Sequence, residues 1–291
     1  MLKILTGEIK LSRLDLSRDF AGLDDLMESE EWPFSRADVE LSHAQPLSTS
    51  YVARKGDRLV GFFTTHNFGE VGYLDMMIVD KEYRKAGVAK ALYLKTVLEM
   101  KRKGLRKFVV HTTNDSFPLI RFLRFRPGPS FTLLARSKTR ATKEETAQVR
   151  QLGPRDIDGL VRVDAATFGC PRPHWIRTML NHPEVVCYGL FDSKGEPRAA
   201  LCLRPRKEGA LCLDAIGGSD EELATLVDYV SARHPRNCLE CFVRTDSTFH
   251  RYLISDGFEV PTFFKEIGPL VEWRKGDTGH LGAQKMTLSW L

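Results

Sequence analysis

Residues 83–92, YRKAGVAKAL, combine types and a spacing suited to holding an anion. Gly87 and Ala89 are small and one residue apart. Arg84, Lys85 and Lys90 add positive charge. The stretch sits between an apolar run, YLDMMIVD (residues 73–80), and a helix-like segment, ALYLKTVLEMKRKG. A helix N-terminus offers unpaired backbone N–H groups and a partial positive charge, and both favour a docked phosphate. Small residues let the backbone come close enough to use them. A plain strand-to-helix turn with a solvated basic face is the other reading of the same residues, and spacing alone leaves both open.

The elements that would position this turn can be read on either side of it. STSYVARKGDRLVGFFTTHNFGEVGYLDMMIVD holds three apolar runs broken by KGD and NFGE, which reads as three antiparallel strands. A helix follows from about Val88 to Lys103, closed by Gly104. KFVVHTTN reads as a strand, FPLIRFLRF as a short helix and SFTLLARS as a last strand. The pattern also repeats. Lys10 opens KLSRLDLSRDFAGLDD and Val149 opens VRQLGPRDIDGLVRVD, each a short strand, a polar turn and a helix start. NDSFPLIRFLRF and DSTFHRYLISDGF form a second pair of matching segments. A duplication explains both. The polar stretch ARSKTRATKEETAQ reads as the linker. We therefore expect an α+β chain of two tandem domains, residues 1–140 and 141–291, each a mixed, mostly antiparallel sheet flanked by helices.

The motif carries a resemblance. Arg84-Lys85-Ala86-Gly87-Val88-Ala89 resembles the R/Q-x-x-G-x-G/A signature of the GNAT acetyltransferases. Met77-Ile78-Val79-Asp80-Lys81-Glu82-Tyr83-Arg84 is similar to the family's strand ending before it, and Asn114 stands where the family has an Asn after the next strand. The tandem arrangement resembles two-domain GNAT proteins whose second half is degenerate. The resemblance implies acetyl-CoA as co-substrate, with the backbone at Ile78 and Val79 along the pantetheine arm. It also implies that the N–H groups of Arg84, Lys85, Ala86, Gly87, Val88 and Ala89 surround the pyrophosphate, with Lys90 adding charge and Asn114 reaching the pantetheine. The acceptor would be an amine, of a small molecule or of a protein.

Acetyl transfer to an amine needs a group that takes the amine proton, directly or through water, and a backbone N–H for the developing oxyanion. Simple alternation puts Tyr73, Asp75, Met77 and Val79 on one strand face. Asp75 stands where many GNAT enzymes carry an acidic base, so it is the first catalytic candidate and Tyr73 the second; a solvated or capping aspartate is the alternative for Asp75. His111 on the next strand reads as structural. The family's usual tyrosine acid is missing: Arg121 stands in its place. That gap motivates a second reading, a CoA-binding sensor without turnover. In the second copy the matching turn is AIGGSDEELATL, where Ser219 and Glu222 form a capping box and Asp220, Glu221 and Glu222 load the helix start with carboxylates that repel a pyrophosphate. Its role reads as acceptor cover, partner binding or homodimer formation. Glu28, Glu30 and Glu31 read first as a solvated helix face and otherwise as acids that attract a cationic acceptor.

Bulk properties narrow the classes. The chain has 291 residues, 42% hydrophobic and 28% charged, with net charge +5. These are values of a globular chain long enough for two cores. The charge is too weak and dispersed for nucleic acid, and no aromatic-interleaved basic platform accompanies it. No apolar run approaches the about 18 residues of a membrane span, and the N-terminus lacks a secretory pattern, so we expect a cytoplasmic protein. All six cysteines lie in the second half and read as buried free thiols. Cys238 and Cys241 form a lone CxxC without a second pair, and no metal is expected.

Overall fold

The structure is a computed structural model. It describes residues 9–44, 48–68, 71–105, 107–110, 126–137, 147–168, 171–261 and 269–274, with side chains of 107, 126–130 and 269–274 excepted. Two compact units divide the chain, residues 1–109 and 110–291.

In the first unit the strands run β1 (Ile9–Arg13), β2 (Tyr51–Lys55), β3 (Arg58–Phe68), β4 (Val71–Val79) and β5 (Lys107–Val110), adjacent in that order. The first four pair antiparallel. Between β1 and β2 lie two helices, α1 (Leu16–Glu28) and α2 (Arg36–His43). The sequence reading anticipates α1. It does not anticipate α2, although a capping box at Ser35 and Asp38 marks its start. Leu23, Leu26 and Met27 of α1 and Val39 of α2 bury against Val52, Phe62, Met76 and Ile78 of the sheet. Helix α3 (Val88–Arg102) covers the other face: a Cβ on Gly61 of β3 would meet Val88 at 3.0 Å and Leu92 at 3.2 Å.

In the second unit β6 (Arg126–Arg136), β7 (Val149–Gln151), β8 (Val186–Phe191), β9 (Pro197–Pro205), β10 (Leu211–Gly217), β11 (Leu239–Arg244) and β12 (Pro269–Arg274) stand in the order β12-β6-β11-β10-β9-β8-β7. Its helices among the described residues are α4 (Ile157–Phe168), α5 (Pro173–Asn181), α6 (Asp220–Arg233) and α7 (Thr248–Ser255). The pairings are antiparallel except β10 with β11, which is parallel. Compactness thus divides the chain earlier than the polar linker does. Strand β6, read from sequence as the end of the first copy, pairs with β11 from Phe131↔Arg244 to Arg136↔Leu239. Its Phe131, Leu133 and Leu134 are buried.

The repeated helix starts share one device. Asp19 accepts from the Asp15 amide at 3.0 Å and is held by Arg18 and Arg54; Asp156 accepts from the Gly153 amide at 2.9 Å and from Arg150 at 2.6 Å. For Asp19 burial pushes the carboxyl up, but Arg18, the Asp15 amide and Arg54 outweigh it and leave it below the ordinary range. For Asp156 the Arg150 bond leads and burial only partly opposes it. Both folded values are depressed, so the stability they give is present above about pH 4 and is lost as the pH falls through the lowered values. Urea midpoints measured from pH 6 to pH 3 should fall, and a double Asp19→Asn, Asp156→Asn variant should show a flatter fall. An unchanged slope would remove these two acids from the acid response.

One cysteine expectation fails. Cys187 and Cys202 stand opposite each other in register on β8 and β9 and form a disulfide. Direct cross-strand neighbours have Cβ atoms close enough to bridge, and sequence separation gives no hint of that register. Cys212 and Cys241 are buried free thiols as expected, Cys238 is half-buried, and Cys170 lies outside the described residues.

Candidate active site

The turn after β4 is built by side chains that fix its backbone. Asp80 caps a short 3-10 turn, Lys81–Tyr83, by accepting from the Glu82 amide at 2.9 Å. Arg58 ties Asp80 at 2.6 Å and Glu82 at 2.9 Å. Arg84 donates from Nε to the Val79 carbonyl at 3.1 Å and reaches Glu30 at 2.5 Å. Lys85 (φ 64) and Gly87 (φ 86) are both left-handed. A non-glycine residue held there costs about 1–2 kcal/mol, so this turn keeps a strained shape. Gly87 is the N-cap of α3, with no side-chain cap and no acid in the first turn. The helix therefore starts with its N–H groups free of side-chain acceptors, and left-handed residues beside it shape a concave run of such groups. Lys85 and Ala86 are exposed, Ala89 and Lys90 are half-buried, and Val88 is buried against the sheet.

Two expectations change here. Arg84 is a strut that locks the turn rather than a loose charge. Glu30, read as an acceptor-attracting acid, is committed to Arg84 and lies 3.7 Å from Lys81. Neither contact is visible in sequence, because each joins the turn to a helix end more than fifty residues away.

The counterpart in the second unit differs in its cap and its charge. Ser219 and Glu222 close a capping box, with the Ser219 amide donating to Glu222 at 2.7 Å and the Glu222 amide donating to Ser219 at 3.2 Å. Burial pushes the Glu222 carboxyl up, yet the Ser219 amide and Arg198 hold it below its usual range. Asp220 accepts from the Phe249 amide at 3.0 Å. Gly217 is also left-handed, but a Cβ there would lie 2.1 Å from Val163 of α4. The second unit thus places carboxylates at a helix start where the first has no side-chain cap and no acid in the first turn.

Upstream, β4 carries a bulge. Thr65 faces Leu74 and Phe63 faces Met77, so one residue of β3 stands opposite both Asp75 and Met76. The bulge overturns the simple alternation. Tyr73 and Asp75 face α1 and α2, followed on the same face by Met76 and Ile78; Met77 and Val79 face α3. Asp75 is buried, and its Oδ2 lies 2.8 Å from Nε2 of His66 on β3. The same Nε2 lies 3.2 Å from Ser42 Oγ of α2, and Ser42 and Ser50 both bond Thr64, at 3.2 and 2.7 Å. Asp75 Oδ1 has no hydrogen-bond partner among the described residues. Tyr73 is buried beside the pair, its ring 6.3 Å from that of His66. Burial, reinforced by the Asp75 charge, holds its phenol proton well above the usual range.

Ser42, His66 and Asp75 are not a nucleophilic triad. Such a triad needs the serine and the acid on opposite ring nitrogens, and here both contact Nε2. The sequence reading misses His66. Its signal was the β3 alternation, which places His66 beside Thr64 and across from Tyr73. Asn114, His111 and Arg121 lie outside the described residues. Among the described residues no three His, Cys, Asp or Glu side chains gather as a metal site, and no helix is long and apolar enough to cross a membrane.

A family model for the acetyltransferase (GNAT) family matches residues 20–126, a span that runs from within α1 through α2, the hairpin and the uncapped turn. The match makes residues 20–126 similar to the GNAT acetyltransferases. A candidate acetyltransferase of Pyrococcus horikoshii is 12% identical with a TM-score of 0.76, over 97% of this chain and 95% of that one. A tandem GNAT protein from the clavulanic acid biosynthesis pathway is 14% identical with a TM-score of 0.65, over 94% of this chain and all of that one. A GCN5-related N-acetyltransferase from Anabaena variabilis is 13% identical with a TM-score of 0.57, over 91% and 72%. At these identities the structures show the fold, an α+β tandem of GNAT-like domains. No curated protein has a matching sequence. GNAT enzymes in general use acetyl-CoA and acetylate amines.

Proposed function

We propose that this chain is an acetyl-CoA-dependent N-acetyltransferase acting on an amine of a small molecule or a protein. The observation that carries the reading is the contrast between the two helix starts. Both carry two left-handed residues, but the first has no acid and no side-chain cap, whereas the second has a carboxylate cap and a valine against it. A diphosphate fits the first and is repelled by the second.

In this reading the N–H groups of Arg84 to Ala89 hold the diphosphate, and Lys85 and Lys90 add charge. The backbone at Ile78 and Val79 runs along the pantetheine, with the Val79 carbonyl already taken by Arg84 Nε. Asn114 is retained from the motif as a further contact. Acetyl-CoA supplies the acetyl group as an activated thioester. Asp75 takes the amine proton. Tyr73 keeps its phenol proton at any ordinary pH, which suits it to donating and not to accepting. Residues 1–140 form the working domain, and residues 141–291 form a degenerate copy that binds no CoA.

Thermal unfolding with and without acetyl-CoA tests the reading. A ligand at a hundred times its Kd stabilises by about 2.7 kcal/mol, so the midpoint should rise by several degrees. No rise at millimolar acetyl-CoA sinks the proposal. Thiol release over a panel of amines then separates an enzyme from a CoA-binding module without turnover.

A further inference from the structure

The two hairpins share a register, apart from the one-residue bulge in β4. Gly61 faces Val79 and Ala199 faces Gly217, an offset of 138 on both strands. That offset carries Thr64 to Cys202 and His66 to Arg204. Past the bulge the β4 offset becomes 139, carrying Asp75 to Asp214 and Tyr73 to Cys212. Ser50, bonded to Thr64, matches Cys187, bonded to Cys202. Both units therefore bury an aspartate on the fourth strand against a basic residue on the third. The basic residues differ in how they hold it. Arg204 takes both oxygens of Asp214, Nε to Oδ2 at 2.8 Å and Nη2 to Oδ1 at 3.2 Å. His66 takes Oδ2 of Asp75 alone, and Oδ1 keeps no partner among the described residues.

We propose that His66 is the positioning residue that makes Asp75 a base: its single bond to Oδ2 orients the carboxylate and leaves Oδ1 as the accepting atom. The inference rests on the acetyltransferase reading. Transfer from a thioester to an amine exchanges a C–S bond for a C–N bond and moves one proton from nitrogen to the departing sulfur. Asp75 Oδ1 takes that proton first and passes it on, so no net charge accumulates. A guanidinium fork at position 66 would close both oxygens, since bidentate pairing is the geometry arginine favours. The same acid would then be a structural ion pair, as Asp214 is. Ser42 on α2, which contacts Nε2, and Tyr73 on β4 also lie against the ring. Asp38 and Asp19 are turned to their own helix starts.

The test is His66→Arg beside His66→Gln, each measured for thermal stability, acetyl-CoA shift and turnover of whichever amine the wild type acetylates. The glutamine amide can give one N–H to Oδ2 and should keep a measurable fraction of kcat. The arginine variant should fold and bind acetyl-CoA, yet lose kcat by about a hundredfold or more with little change in KM for acetyl-CoA. A purely structural role predicts the reverse order, because the arginine pair is the arrangement the second unit already tolerates. Arginine turnover within threefold of wild type overturns the proposal. Should the arginine variant not fold, glutamine decides: kcat below a hundredth of wild type overturns it. Acetyl-CoA binding without turnover of any amine also overturns it, while leaving the CoA seat intact. Absence of an acetyl-CoA shift in wild type overturns the parent reading instead.

Discussion

Glutamate in place of Gly87 should abolish the thermal shift given by acetyl-CoA. Gly87 is left-handed at φ 86, where a side chain costs about 1–2 kcal/mol. The larger effect is electrostatic. A carboxylate at the N-cap of α3 would sit on the N–H groups that the first unit leaves without a side-chain acceptor, and its charge would face an incoming diphosphate. The substitution imports into the first turn the arrangement that Ser219 and Glu222 make in the second. Affinity should fall by more than about a hundredfold, over 2.7 kcal/mol, read as loss of the thermal shift. Gly87→Asn separates strain from charge, because asparagine tolerates the left-handed region; it should bind within about tenfold of wild type. A glutamate variant that binds normally would move the site away from this turn.

Asparagine in place of Asp75 should leave acetyl-CoA binding intact and lower kcat by about 10²–10⁴-fold, the usual worth of a positioned base. The amide keeps the shape of the side chain and an oxygen for His66, so the core under α1 and α2 should persist. Stopped thiol release with saturating acetyl-CoA gives the kcat, and circular dichroism gives the fold. A variant within threefold of wild type would transfer the proton step to another group. Tyr73→Phe then becomes informative, since its phenol is held protonated and removing it should affect departure of the thiol, not capture of the amine proton.

Local chemistry was legible in the sequence. The bounds of α3, its Gly104 stop, the Ser219 capping box and the three-strand hairpin follow from patterns a few residues long. The contrast between the two turns was also legible, because the duplication supplies its own comparison. What stayed hidden depends on distant partners. Glu30 reads as a solvated acid until α1 ends beside Arg84. Cys187 and Cys202 read as separate thiols until β8 and β9 find their register. His66 drew no notice inside an apolar strand, since its meaning lies in the acid opposite. The fold-level reading survives at identities of 12–14% because packing patterns persist. A site shared between strands does not show in any one of them.

The bulge in β4 has a further consequence. A strand is read in steps of two, so one extra residue changes the phase of everything before it. Residues 77 and 79 are in one phase and residues 73 and 75 in the other, and the junction puts Asp75 and Met76, neighbours in the chain, on a single face. Polarity on that face changes across one peptide bond, from a hydrogen-bonded pocket to a dry core. The arrangement is encoded by chain length, not by side-chain type. Such a strand tolerates many exchanges of residue but no deletion, because losing one residue here would turn Tyr73 and Asp75 toward α3 and swing Leu74 and Val71 each to its opposite face with them.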